Sequence, residues 1–108
     1  MIIGKLFIDF LESGRSIVNN ELAKSRRFHV PPSIMGLARI TSRYVSICNQ
    51  AGEGWFLVGE ILSMLEDGVP NVLCLQPFGC LPNHVTGRGM ARLLRNEFPA
   101  LNMGAVDY

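Results

Sequence analysis

The chain has 108 residues, enough for one domain or a piece of one, and at 48% hydrophobic and 18% charged it can bury a core and is not disordered. A formal net charge of +1 gives no electrostatic reason to expect nucleic acid. No apolar run reaches the roughly 20 residues that span a bilayer, and early acidic residues with no small-residue cleavage site speak against a secretory signal. Three cysteines, an odd number far below the density of a disulfide scaffold, indicate a reducing cytoplasm and thiols that are either buried or functional.

In chain order, Ile2, Ile3, Leu6, Phe7, Phe10 and Leu11 recur at helical spacing and predict an amphipathic helix. Gly14 is expected to dent it, and Ile17, Val18 and Leu22 resume the pattern. Asn19, Asn20, Lys24, Arg26 and Arg27 form the wet side, which is too weakly basic for a membrane-surface helix, so the apolar face is expected to dock on protein. Phe28 to Pro32 break the pattern, because a proline holds the residue before it extended. His29 stands alone there, without a second ligand at metal-site spacing.

Ser33 can cap a second helix carrying Ile34, Leu37, Ala38, Tyr44 and Val45 to about residue 46. The stretch Tyr44 to Cys48 is rich enough in β-formers to be a strand instead. Next comes Asn49-Gln50-Ala51-Gly52-Glu53-Gly54-Trp55, a tight connection of two glycines around a glutamate, closed by the sole tryptophan. Phe56, Leu57, Val58, Ile61, Leu62 and Leu65 then predict a helix that is apolar around most of its girth and hence buried, with Gly68 just past its end and Pro70 stopping it. Glu53 near its start suits the helix dipole without any further role, while Asn49, Gln50 and Glu53 beside an aromatic leave room for one.

The run Asn71 to His84, NVLCLQPFGCLPNH, is the most informative. A short apolar strand empties into a loop with Pro77, Gly79, Cys80, Pro82 and His84, the place where an open α/β sheet puts its chemistry. Thr86 can cap a helix from Gly87 to Glu97, with Met90, Leu93, Leu94 and Phe98 on one face and Arg88, Arg92 and Arg95 on a solvated one. Pro99 closes it, and Met103 to Val106 form a second strand ending in Asp107 and Tyr108. Strand, helix and strand at this spacing predict a right-handed parallel βαβ unit behind a helix-rich N-terminal half. The fold class is α/β, part of a three-layer Rossmann-like or flavodoxin-like parallel sheet. Two strands are too few for a stable parallel sheet, so residues 1–108 are expected to be a single α/β domain excised from a much larger multidomain protein.

Four chemistries compete for the loop. A dinucleotide fingerprint at Gly87-Arg88-Gly89, with Asp107 as its acid, fails because Arg92 holds the third glycine position and the loop after the strand is too long. Nucleophilic catalysis by Cys80 with His84 as base lacks an orienting third residue. Metal ligation by Cys80 needs partners, since Cys48, Cys74 and Cys80 match no zinc spacing and one thiolate cannot hold an iron–sulfur cluster. A structural Cys80 between its prolines remains open and, on the residues alone, carries the most weight.

The motifs Gln50-Ala51-Gly52-Glu53-Gly54-Trp55 and Gln76-Pro77-Phe78-Gly79-Cys80-Leu81-Pro82-Asn83-His84, within the stretch from Asn49 to Tyr108, closely resemble the C-terminal region of large 2-hydroxyacyl-CoA dehydratase activases, also called CoA-substrate-specific enzyme activases. The resemblance covers somewhat more than the last half of the chain and is loose elsewhere. It implies a dehydratase-subunit-like region in an ATP-dependent redox activator that delivers a low-potential electron to a dehydratase. The match of Pro77-Phe78-Gly79-Cys80-Leu81-Pro82 to that family's cluster motif implies Cys80 as one ligand of a [4Fe-4S] cluster, with the other cysteines outside this chain and with His84, Glu53 and Trp55 around it. Cys48 and Cys74 match no ligand position and are read as structural. ATP would be bound only by other domains of the parent, since no phosphate-binding loop of the kinase type is present. Implied partners are those domains and a 2-hydroxyacyl-CoA dehydratase, with a homodimer compatible and neither nucleic acid nor membrane expected. The alternative is a non-catalytic docking domain that has lost the cluster.

Overall fold

The computed structural model describes residues 2–108, which form two compact units divided between Ser33 and Ile34. The first holds one helix, α1 (Ile2–Ala23), unbroken at Gly14. Two ion pairs at i, i+3 spacing line it, Glu12 with Arg15 at 3.0 Å and Glu21 with Lys24 at 2.6 Å. Arg15 also donates to the Pro32 carbonyl at 3.1 Å, tying the segment after the helix back onto it. The apolar stripe of α1, including Leu6, Phe7, Phe10 and Ile17, is exposed. Among the described residues no helix is long and apolar enough to cross a membrane.

The second unit runs α2 (Ile34–Thr41), α3 (Trp55–Glu66), β1 (Asn71–Gln76), α4 (Ala91–Glu97) and β2 (Asn102–Asp107). It is mixed α/β with a two-stranded parallel sheet. Helix α2 stops at Thr41 and does not run to residue 46, and Tyr44 to Cys48 form turns and not a strand. The N–H groups of Arg43 and Tyr44 reach only three residues back, to the Ile40 and Thr41 carbonyls, which tightens the chain out of the helix. The aromatic residue that suggested continuation packs elsewhere, with the Tyr44 ring 5.8 Å from that of Phe98.

Helix α3 is the centre of the core. Val58, Ile61 and Leu62 are buried with Val72, Leu94, Leu101 and Met103. Its close approach to α2 occurs at Gly59, where a Cβ would lie 2.6 Å from Thr41 Oγ1 and 2.8 Å from Leu37 Cγ. The helix ends in a Schellman turn. Gly68, at φ +77°, donates to the Leu65 carbonyl at 3.1 Å and Val69 to that of Met64 at 2.8 Å. Gly68 thus occupies the position predicted for it.

The strands pair in parallel from Asn71 opposite Asn102 to Gln76 opposite Asp107. Strand alternation puts Val72, Cys74 and Gln76 on one face with Met103, Ala105 and Asp107, and Leu73 and Leu75 on the other with Gly104 and Val106. The first face carries the core residues Val72 and Met103. Leu73, Leu75 and Val106 on the second are exposed. The crossover helix begins later than predicted. A π-helical turn, Asn83–Gly87, and a 3₁₀ turn, Arg88–Met90, precede α4, so Thr86 lies inside the π turn and does not cap α4. On α4, Leu94 is fully buried, whereas Leu93 faces outward.

Candidate functional site

The loop that leaves β1 holds Cys80. Gly79, at φ +75°, makes the turn a residue with a Cβ would resist, and the Cys80 N–H closes it on the Pro77 carbonyl at 3.1 Å. The π turn follows at once, a wide coil of the kind that recurs at functional sites. It places the buried Asn83 so that its Nδ2 donates to Cys80 Sγ at 3.1 Å. The His84 N–H donates to the Cys80 carbonyl at 3.1 Å. Cys80 is a free, half-buried thiol at the C-terminal end of the sheet, hydrogen-bonded at sulfur and so not sealed in purely apolar packing.

The second motif is the wall against which this loop rests. Gly52 has φ +57°, and a Cβ there would sit 2.8 Å from Pro82 Cγ. Gly54 has φ +38°, and a Cβ there would overlap the Asn49 carbonyl, which accepts the Trp55 N–H at 2.8 Å. The Thr86 hydroxyl is shared between the Gly54 carbonyl at 2.6 Å and the Pro82 carbonyl at 2.8 Å. A small cleft of about 120 Å³, walled by Ala51, Leu81, Pro82 and Val85, separates the two loops. The two stretches singled out in the sequence are therefore one packed structure. Its contacts come from glycine backbone and Thr86, not from the expected side chains. Glu53 is exposed, and Trp55 packs its ring on Phe56 with centroids 5.5 Å apart. Among the described residues no hydrogen bond links the side chain of Glu53 or Trp55 to Cys80.

A polar group stands beside the loop, where the strands end. Gln76 is fully buried, and its Nε2 donates to Asp107 Oδ1 while lying 3.4 Å from His84 Nδ1. Asp107 also takes an N–H from Arg88 at 3.3 Å. Gln76 Oε1 is buried without a partner among the described residues, a cost of about 1–3 kcal/mol for a neutral polar atom. Two residues earlier on the same face, the Cys74 thiol is pushed up from its ordinary value of 9.0 by burial first and by the Asp107 carboxylate second. A Cβ on Gly87 would lie 3.2 Å from Cys74 Sγ, so the π turn passes close over this strand.

Of the residues expected around Cys80, His84 lies in the same turn and faces Gln76 through its ring. Cys48, read as structural, is exposed, because α2 ends before it and leaves it in a turn. Cys74 packs against the core, as a structural thiol would. Among the described residues no three His, Cys, Asp or Glu side chains gather to hold a metal. Asn83 and Gln76 were not singled out from sequence. Gln76 could have been, since it shares strand parity with the buried Val72 and cannot avoid the core face. No family model, curated protein or solved structure matches this chain.

Proposed function

We propose that this chain is a dehydratase-subunit-like part of a 2-hydroxyacyl-CoA dehydratase activator, in which Cys80 supplies one thiolate to an iron–sulfur cluster. The observation that carries the proposal is the placement of Cys80. It is a free thiol on a glycine-turned loop at the C-terminal end of a parallel strand, with a buried Asn83 amide donating to its sulfur. Hydrogen bonds to ligand sulfur are among the means by which proteins tune such clusters. The donor set fits one corner only. A single thiolate does not hold a cluster, and no further ligands converge on Cys80 among the described residues. The remaining cysteines are assigned to other segments of the assembled protein, and ATP to other domains of it.

In this reading the two strands belong to a larger three-layer, Rossmann-like or flavodoxin-like sheet. The exposed Leu73, Leu75 and Val106 support that, because parallel sheets are ordinarily covered on both faces. A cytoplasmic location and contact with a dehydratase follow from the same proposal. The test is anaerobic reconstitution of the protein that carries this chain together with its cysteine-bearing segments, with and without Cys80→Ser. Loss of the cluster's visible absorbance and paramagnetic signal in the variant is expected. An unchanged spectrum would refute the assignment and leave a docking domain in its place.

A further inference from the structure

The arginines read from sequence as a solvated face are exposed, and they also border one cleft. Arg88, Arg92 and Arg95 wall a cleft of about 370 Å³ whose floor is Ala91, Met103 and Ala105, between the start of α4 and strand β2. That volume lies within the range of small-ligand sites, about 300–1,000 Å³. The small residues are the reason for the space, since alanine on both elements leaves the guanidinium groups to form the rim.

The charges in this cleft are not balanced. Arg88 donates to Asp107 Oδ2 at 3.3 Å, and Arg95 donates to the Met103 carbonyl, a neutral acceptor. No hydrogen bond or ion pair holds Arg92 among the described residues. Glu97, the acid at the end of α4, belongs to the neighbouring cleft, which Arg92 also borders. Like charges three and four residues apart on a helix repel one another. Three exposed guanidinium groups, with only Arg88 paired to a carboxylate, that of Asp107, leave an excess of about two positive charges at the rim that suits an anionic ligand. Arginine forks match phosphate oxygens in pairs.

We propose that this cleft binds the phosphate group of a small phosphorylated molecule, a phosphomonoester dianion or a diphosphate. Arg92 supplies the free fork. Arg95 and Arg88 are held in place by Met103 and Asp107, with further N–H groups left to donate. The site uses none of the residues assigned to Cys80 and stands independently of the cluster proposal.

Isothermal titration of the full chain with inorganic pyrophosphate and with inorganic phosphate, at low ionic strength, tests it. Saturable binding at one site is expected, with pyrophosphate the tighter probe and affinity falling as salt rises. Arg92→Ala should weaken pyrophosphate binding about tenfold or more, the scale of one lost charge-assisted bond. Arg95→Lys, which keeps the charge and loses the fork, should weaken it less. Arg43→Ala, outside the cleft, should leave it unchanged. Arg92→Gln is the second variant, and circular dichroism confirms that each variant is folded. Adenosine diphosphate should bind at least as tightly as pyrophosphate. Absence of saturable binding, or an affinity in both Arg92 variants equal to that of the parent chain, would overturn the site. A single-stranded oligonucleotide that outcompetes adenosine diphosphate would overturn the small-molecule assignment.

Discussion

Replacing Gly59 with alanine sets two opposed effects against each other at the crossing of α2 and α3. In a free helix the change is favourable by about 1 kcal/mol, because alanine forfeits less backbone freedom than glycine. Here the added Cβ would meet Thr41 Oγ1 at 2.6 Å and Leu37 Cγ at 2.8 Å, both well inside contact distance. Neither neighbour gives way easily. Thr41 is fully buried with its hydroxyl on the Leu37 carbonyl at 2.8 Å, and Leu37 is a core residue. Overpacking a filled core costs about 1–3 kcal/mol, and two such contacts put this site at the upper end. The net expectation for Gly59→Ala is a loss of about 2 kcal/mol, which in a domain of this size lowers Tm by roughly 8–16 °C. Urea and thermal unfolding followed by circular dichroism measure it. Adding Thr41→Ala removes the nearer obstacle and should recover about 1 kcal/mol, a coupling that a double-mutant cycle reads directly. A Tm equal to or above that of the parent in Gly59→Ala alone would show that the helices do not cross at this residue.

Two further outcomes follow from the site. Because the native Cys74 thiol titrates above its ordinary value, its stabilising contribution is complete below that value and is lost as pH climbs from 9.0 through the native one. Urea midpoints should therefore decline over that alkaline window and decline less in Cys74→Ala; parallel profiles would refute the assignment. Thr86→Val removes the hydroxyl that joins the Gly54 and Pro82 carbonyls and should cost about 1 kcal/mol, while Thr86→Ser keeps the donor and should cost less. Equal stability of the two variants would mean that the hydroxyl does not join the loops.

Much of the architecture was legible because its causes are local. The apolar run through Ile61 and Leu62, with Gly68 two residues past the helix and Pro70 behind it, left few alternatives to a buried helix with a glycine stop. The two strands followed from short β-rich runs separated by one helix length. The end of α2 was not legible, since Tyr44 and Val45 fit the helical period while their burial comes from packing on the core around Phe98. The start of α4 was also missed. Thr86 looks like a cap by type, yet its hydroxyl is taken by Gly54, 32 residues earlier, a contact no local pattern announces. In the site, Cys80 stood out because it interrupts a proline-rich loop. Asn83 and Gln76 matter through contacts made only once the π turn and the parallel register exist.

The tryptophan is the remaining piece of that junction. Trp55 begins α3, its N–H is fixed to the Asn49 carbonyl, and the residue before it carries the carbonyl that receives Thr86. The chain thus has the backbone of its one tryptophan fixed at the seam between its two motif loops, with the indole on Phe56 beside it. Emission from that indole will report the parting of the loops, whereas the far-ultraviolet signal follows the helices. Any difference between the two unfolding curves measures how far the Cys80 loop can open while the rest of the fold stays closed.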